Sequence, residues 1–213
     1  MSSTKIKICG INDAASLDAA IDVGADYVGL VFFPPSPRHV GSDVAARLAE
    51  RSGPRIARVG LFVNATDGEI GDAVVAGRLD ALQLHGAETP GRAAELRTIF
   101  GLPVWKAIAV SSADDIGRAQ HYAGAADLIL FDAKTPKGTL PGGMGLSFDW
   151  SLLGHYRGSL PWGLAGGIAP GNVADAIGRT GAPLVDVSSG VESAPGVKDP
   201  DRIRAFVAAA RKG

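Results

Sequence analysis

Residues 162–190 read WGLAGGIAPGNVADAIGRTGAPLVDVSSG. Trp162–Leu164 and Leu184–Val187 are short apolar runs, and Val173–Ile177, after Pro170-Gly171-Asn172, has helical spacing. A near-continuous apolar run bounded by Gly, Pro, Asp or Ser is the pattern of a strand buried on both faces, as in a parallel sheet. Strand, helix and strand in this order make a parallel unit with a right-handed crossover.

The same beat continues toward the N-terminus. Leu128–Phe131, Val104–Ile108, Ala81–Leu84, Ile56–Val63, Tyr27–Phe32 and Ile6–Cys9 are further apolar runs. Helical patterns stand between them: Ala14–Val23 after Asn12/Asp13, Asp43–Arg51 after Ser42, and Gly68–Ala76 after Thr66. Gly91–Ile99 follows Thr89-Pro90, a cap with Pro at the first helical position, and Asp114–Tyr122 follows Ser111-Ser112. Asp149–His155 serves as the sixth helix, and Asp201–Arg211, after Asp199-Pro200, as the last. Gly24, Gly77 and Gly124 fall just before strands, where helix C-caps are needed. Eight units average roughly 27 residues, which predicts a single-domain (β/α)8 TIM barrel over residues 1–213. A doubly wound open sheet is the alternative, but it seldom uses eight such even units.

Composition removes other classes. Twenty-one basic and 22 acidic residues give a formal net charge of -1, with no electrostatic footprint for nucleic acid or an anionic membrane. One cysteine excludes an internal disulfide framework and a cysteine-built zinc site. No apolar run approaches the ~20 residues of a membrane helix, and Met1–Ile8 lacks the apolar core of a signal peptide. A cytoplasmic protein is expected.

A barrel carries its site on the loops after the strands. Gly166-Gly167 follows strand seven and Ser188-Ser189-Gly190 follows strand eight, the two loops on which many barrels bind phosphate. Glycines there let backbone N–H groups approach an anion, although tight turns alone also use them. A phosphorylated small molecule is the expected substrate. Cys9 ends strand one and Asp132 ends strand six, so an acid and a base face each other across the mouth, as an isomerisation by proton transfer requires. A cysteine is a base only if its pKa allows thiolate near neutral pH; Lys7 is close in sequence, but alternation alone leaves its direction open. A buried small hydrophobe and a loop-start cap are the plain alternatives for Cys9 and Asp132. Arg38, on the proline-stiffened loop after strand two, suits a carboxylate held bidentately, or is a solvated loop arginine. Gln83 and His85 alternate at the end of strand four, placing both toward the mouth. Pro141–Gly145 is read as a lid or as a turn into helix six. No Walker motif, dinucleotide fingerprint or metal-ligand spacing is present, so no cofactor or metal is expected.

Seven segments, in order, then carry a resemblance: Lys7–Ile11; Gly29–Phe32 with Ser36-Pro37-Arg38; Gly60–Val63; Leu82–Gly86; Gly142–Gly145 with Phe148-Asp149-Trp150; Leu164–Ile168; and Asp186–Glu192. Together they resemble phosphoribosylanthranilate isomerase over essentially the whole chain, with Met144 where that family usually has Thr. The resemblance implies an Amadori rearrangement in tryptophan biosynthesis, with no metal or cofactor. It makes Asp132 the general acid on the furanose ring oxygen and Cys9 the base at C2′. It further implies that Arg38 holds the anthranilate carboxylate, that the loops at Gly166-Gly167 and Ser188–Gly190 hold the phosphate, and that Asp186 contacts sugar hydroxyls. Rival readings are the histidine-pathway isomerase, which resembles a repeated barrel with Asp in place of this cysteine, and a non-catalytic metabolite-binding barrel. Nothing in the sequence identifies a protein partner.

Overall fold

The computed structural model describes residues 4–135 and 145–213. Pro141–Met144, most of the expected lid, lies outside the described residues. Eight strands run β1 (Lys5–Cys9), β2 (Tyr27–Val31), β3 (Ala57–Phe62), β4 (Ala81–Leu84), β5 (Val104–Val110), β6 (Leu128–Ala133), β7 (Trp162–Leu164) and β8 (Leu184–Val187). They pair in parallel in chain order, and β1 also pairs with β8, closing the barrel. Helices α1 (Ala14–Asp22), α2 (Ser42–Ser52), α3 (Asp67–Gly77), α4 (Pro90–Phe100), α5 (Ala113–Gly117), α6 (Val173–Thr180) and α7 (Pro200–Ala210) surround it.

Period-two alternation sorts the strand residues into two layers. Ile6, Ile8, Val28, Leu30, Leu82, Leu84, Ile129, Phe131, Val185 and Val187 belong to the large core, which they share with helix residues such as Leu17, Ile70 and Phe206. Each such side chain contributes about 1.5–3 kcal/mol when fully buried. The intervening residues point into the barrel. Val59, Ala81, Trp105, Ala107, Leu130 and Leu184 fill the interior, with Tyr27 edge-on to Trp105 at a centroid distance of 5.1 Å. Cys9, Val31 and Leu61, with Phe33 and Val63, form a separate cluster.

Several caps follow the expectation. Asp13, Thr66, Thr89, Ser112 and Asp199 each accept a backbone N–H in the first turn of their helix. Four expectations are corrected. The fifth helix is α-helical only over Ala113–Gly117 and continues as a 3-10 turn over Arg118–Tyr122, because Gly117 is a poor helix former. The sixth is a 3-10 turn, Trp150–His155, with Gly154, a poor helix former, inside it. Ser42 is the first residue of α2, Gly41 taking the cap position without a side-chain bond. At the end of α3 the left-handed residue is Arg78, φ 44°, while Gly77 remains helical and makes room for Leu79. A short antiparallel hairpin, β9 (Glu192–Ala194) and β10 (Val197–Lys198), was not expected.

Candidate active site

The interior layer delivers the site. On β1, Lys7 and Cys9 share the inward face; on β2 so do Gly29 and Val31; Gln83, Asp132 and Asp186 point inward from β4, β6 and β8. A cleft at this end is lined by Cys9, Arg38, Gln83, His85, Asp132, Gly166, Gly167, Asp186, Ser188 and Ser189. Gly190 is not among its lining residues. It packs behind the loop, where a Cβ would overlap Ile168 O. Val31, Phe33, Leu61, Val63 and Ile168 give the same cleft an apolar wall.

Asp132 and His85 form one polar wall. Asp132 Oδ1 accepts from Ala133 N at 2.8 Å, and Oδ2 lies 3.2 Å from His85 Nε2. Gln83 Nε2 lies 3.3 Å from His85 Nδ1. With Gln83 donating to Nδ1, the Nε2–H of His85 donates to Asp132. Gln83 Oε1 is buried without a hydrogen-bond partner among the described residues.

Cys9, Lys7 and Asp186 form the other. Cys9 is the free cysteine and is 5% exposed. Burial pushes its thiol up, against the pull of Lys7 and Lys198. Lys7 Nζ donates to Asp186 Oδ2 at 2.8 Å with neither side chain open to bulk water. Burial disfavours the Lys7 ammonium, but Asp186 and Cys9 more than offset it and hold it above its usual value. Asp186 Oδ1 has no hydrogen-bond partner among the described residues, and Asp186 lines the cleft. A buried acceptor left unpaired is costly unless a ligand group satisfies it.

The loops after β7 and β8 are held from outside the cleft. Gly166 and Gly167 have φ 81° and 64°, left-handed conformations that favour glycine. No acceptor for their N–H groups is found among the described residues. Asn172, expected only to begin a helix, ties this loop: its Oδ1 accepts from Ala169 N at 2.8 Å and its Nδ2 donates to Gly167 O at 3.0 Å.

Arg38 reaches the cleft by a route the sequence did not show. Its Nε and Nη2 form a fork on Glu192, 2.7 Å to Oε1 and 2.8 Å to Oε2. The arginine's bidentate edge therefore holds a carboxylate of this chain. Lys198 Nζ binds Glu192 Oε1 at 2.7 Å and Ser188 O at 3.0 Å, so the hairpin links Arg38 to the β8 loop. Burial pushes Glu192 up, and Arg38 and Lys198 outweigh it, leaving the carboxyl below its usual value. Pro195-Gly196 between the two short strands was the available turn signal, and Gly196 has φ 80°.

Lys106, between inward-facing Trp105 and Ala107 on β5, faces away from the barrel interior. It binds Glu88 at 2.9 Å and the carbonyls of Leu84 and Gly86, and serves the β4 loop.

Comparison with known proteins places the chain in a family and agrees with the barrel fold. The family model for N-(5'phosphoribosyl)anthranilate (PRA) isomerase matches residues 6–209. The N-(5'-phosphoribosyl)anthranilate isomerase of Paramagnetospirillum magneticum is 56% identical over 98% of each chain, and that of Paracoccus denitrificans 56% identical over 98% of this chain and 97% of its own. The crystal structure of phosphoribosyl anthranilate isomerase from Thermotoga maritima superposes with a TM-score of 0.85 at 37% identity, covering 97% of this chain and 98% of that one. Another solved isomerase, in complex with reduced 1-(o-carboxyphenylamino)-1-deoxyribulose 5-phosphate, has a TM-score of 0.83 at 36% identity, with the same coverage. By matched length and identity, the chain belongs to the N-(5'-phosphoribosyl)anthranilate isomerase family.

Proposed function

We propose that the chain isomerises N-(5-phosphoribosyl)anthranilate to 1-(2-carboxyphenylamino)-1-deoxyribulose 5-phosphate, an Amadori rearrangement in tryptophan biosynthesis. The observation that carries this reading is Cys9 and Asp132 set into one cleft from β1 and β6. Protonated Asp132 gives its proton to the furanose ring oxygen while the anilino nitrogen pushes out the C1′–O bond, leaving an open-chain iminium. Cys9 thiolate then takes the C2′ proton, and the C–H electrons form the C1′=C2′ bond of an enolamine. Protonation at C1′ and loss of the enol proton give the ketone. The product is an isomer of the substrate, so no electron acceptor is needed.

Each remaining part of the substrate has a partner of suitable chemistry. The unpaired Asp186 Oδ1 suits a sugar hydroxyl. The N–H groups of Gly166 and Gly167, with Ser188 and Ser189 opposite, suit the phosphate. Val31, Phe33 and Leu61 suit the anthranilate ring, with Arg38 beside them for its carboxylate. Gln83 acts on substrate through His85, which orients Asp132. Turning the Gln83 amide over presents Oε1 to a protonated Nδ1, and Nε2 then accepts from Asp132 O–H, the state a general acid needs. Among the described residues no helix is long and apolar enough to cross a membrane, and a cytoplasmic place belongs to this reading.

The test is to generate the substrate in situ and follow loss of its fluorescence. Cys9→Ala and Asp132→Asn should each lower kcat by about 10²–10⁴. Near-normal turnover in both variants would remove the assignment. A folded wild-type protein that leaves this substrate unchanged but turns over the histidine-pathway substrate would replace it.

A further inference from the structure

Lys7 is a buried cation that the acid–base scheme leaves without a task. It is 0% exposed in the barrel interior, where an aliphatic side chain would pack without an ion's desolvation cost. Asp186 Oδ2 is one partner, at 2.8 Å. Cys9 is the second. Lys7 and Cys9 are two residues apart on one strand and share its inward face. Gly29, the register partner of Cys9 on β2, makes the space: a Cβ there would lie 2.7 Å from Cys9 Sγ and 3.1 Å from Lys7 Nζ.

The surrounding charges favour an anion at the sulfur. Three buried cations (Lys7, Arg38 and Lys198) pair with two carboxylates, Asp186 and Glu192. Across the cleft, Asp132 and His85 are together neutral in the state proposed for the general acid, with the proton on Asp132 and a neutral imidazole beside it. A neutral thiol leaves the first group with an excess cation; a thiolate balances it.

We propose that Lys7 is a positioning residue for proton transfer, the buried cation against which Cys9 ionises, and that Asp186 holds it there. This deepens the reading of Cys9 as the base and rests on it. Burial, with the Asp186 carboxylate, holds the Cys9 thiol above its usual value, and Lys7 is the foremost opposing influence.

Cys9 is the one cysteine in the chain, so the rate of its alkylation by iodoacetamide against pH reports its ionisation without substrate. Lys7→Met should move the midpoint up by about one to three pH units, the range expected for loss of a close opposite charge. The rising limb of kcat/KM against pH should move with it. Asp186→Asn should move the alkylation midpoint down, because it removes an anion and leaves the thiolate as the counter-ion of Lys7. A merely structural role would not give opposite signs from two touching residues. Circular dichroism checks folding. If Lys7→Met fails to fold with Asp186 left unpaired, Lys7→Met/Asp186→Asn removes both charges and should still titrate above the wild type. Midpoints that move together, or a folded Lys7 variant titrating as the wild type does, overturn the proposal. If Cys9→Ser is inactive while the Lys7→Met midpoint is unmoved, the proposal fails and Cys9 remains the base. If Cys9→Ser turns over normally, the reading of Cys9 as base fails, and with it the role of Lys7 in proton transfer.

Discussion

Glu192→Gln probes the network behind the cleft. Glu192 Oε1 faces Arg38 Nε at 2.7 Å and Lys198 Nζ at 2.7 Å, and Oε2 faces Arg38 Nη2 at 2.8 Å and Gly196 N at 3.3 Å. Both oxygens meet only donors. A glutamine amide in either orientation turns its NH2 against one of these donor pairs and leaves two buried cations without a counter-charge. Breaking a buried ion pair from one side costs about 3–5 kcal/mol. At about 2–4 °C per kcal/mol for a domain of this size, the lower bound predicts a fall in Tm of about 6–12 °C. The assay is thermal unfolding of wild type and variant across pH. Glu192 titrates below its usual value, so its ionised form stabilises the fold. That contribution is fully present above the unfolded carboxyl value of about 4.3 and is lost as pH falls through the lower folded value. The gap between wild type and variant should therefore be constant near neutral pH and close in acid. A Tm within about 2 °C of wild type at neutral pH, or a gap independent of pH into strong acid, would refute the reasoning.

Two further predictions concern the anion loops. Gly190→Ala puts a Cβ into Ile168 O, so the loops after β7 and β8 must part. KM for the phosphorylated substrate should rise more than kcat falls, and inorganic phosphate should inhibit less well; unchanged values for both would separate Gly190 from the phosphate site. Asn172→Ala removes the bonds to Ala169 N and Gly167 O from outside the cleft. A loss of about 1–2 kcal/mol corresponds to a rise in KM of about 5–30-fold, measured by steady-state kinetics. A fall in kcat at constant KM would show that Asn172 acts on the chemistry instead.

The fold was legible because each strand unit carries its own local signal. Apolar runs bounded by turn residues located all eight strands, with differences confined to their ends, and Thr66, Thr89 and Asp199 marked helix starts through their own side chains. The α-helices expected at units five and six failed where glycine interrupts them, at Gly117 and Gly154; there, tertiary packing selects the shorter 3-10 geometry. Cys9, Gln83, Asp132 and Asp186 were placed in the cleft by position alone, since an inward-facing residue near the end of a barrel strand points to the mouth. What stayed hidden was pairing between distant segments. Glu192 and Arg38 are 154 residues apart, and no local pattern says that the arginine's fork is turned on a carboxylate of its own chain. Asn172 looked like a helix cap, and its contacts to Gly167 and Ala169 depend on how the β7 loop folds back.

Lys7 and Lys106 show why the charged interior was the hardest part to read. Both are lysines inside apolar strands, both are buried, and both end on a carboxylate. Lys7 is separated by one residue from Cys9, and inward-facing Asp186 is its register partner on β8. Lys106 follows inward-facing Trp105 by one residue, so it turns outward to Glu88 and the β4 loop carbonyls. A one-residue difference in parity thus separates a lysine on the inward face beside Cys9 from one that pins a loop. Parity on a single strand is visible in sequence only when a neighbour of known direction anchors it. Cys9 provides that anchor once it is placed at the mouth, and Lys7 then faces the same interior. The register of β1 against β8 brings Asp186 to Lys7, and Gly29 on β2 leaves the space beside both ammonium and sulfur. The surroundings of Cys9 are therefore built jointly by three strands, none of which carries the information alone.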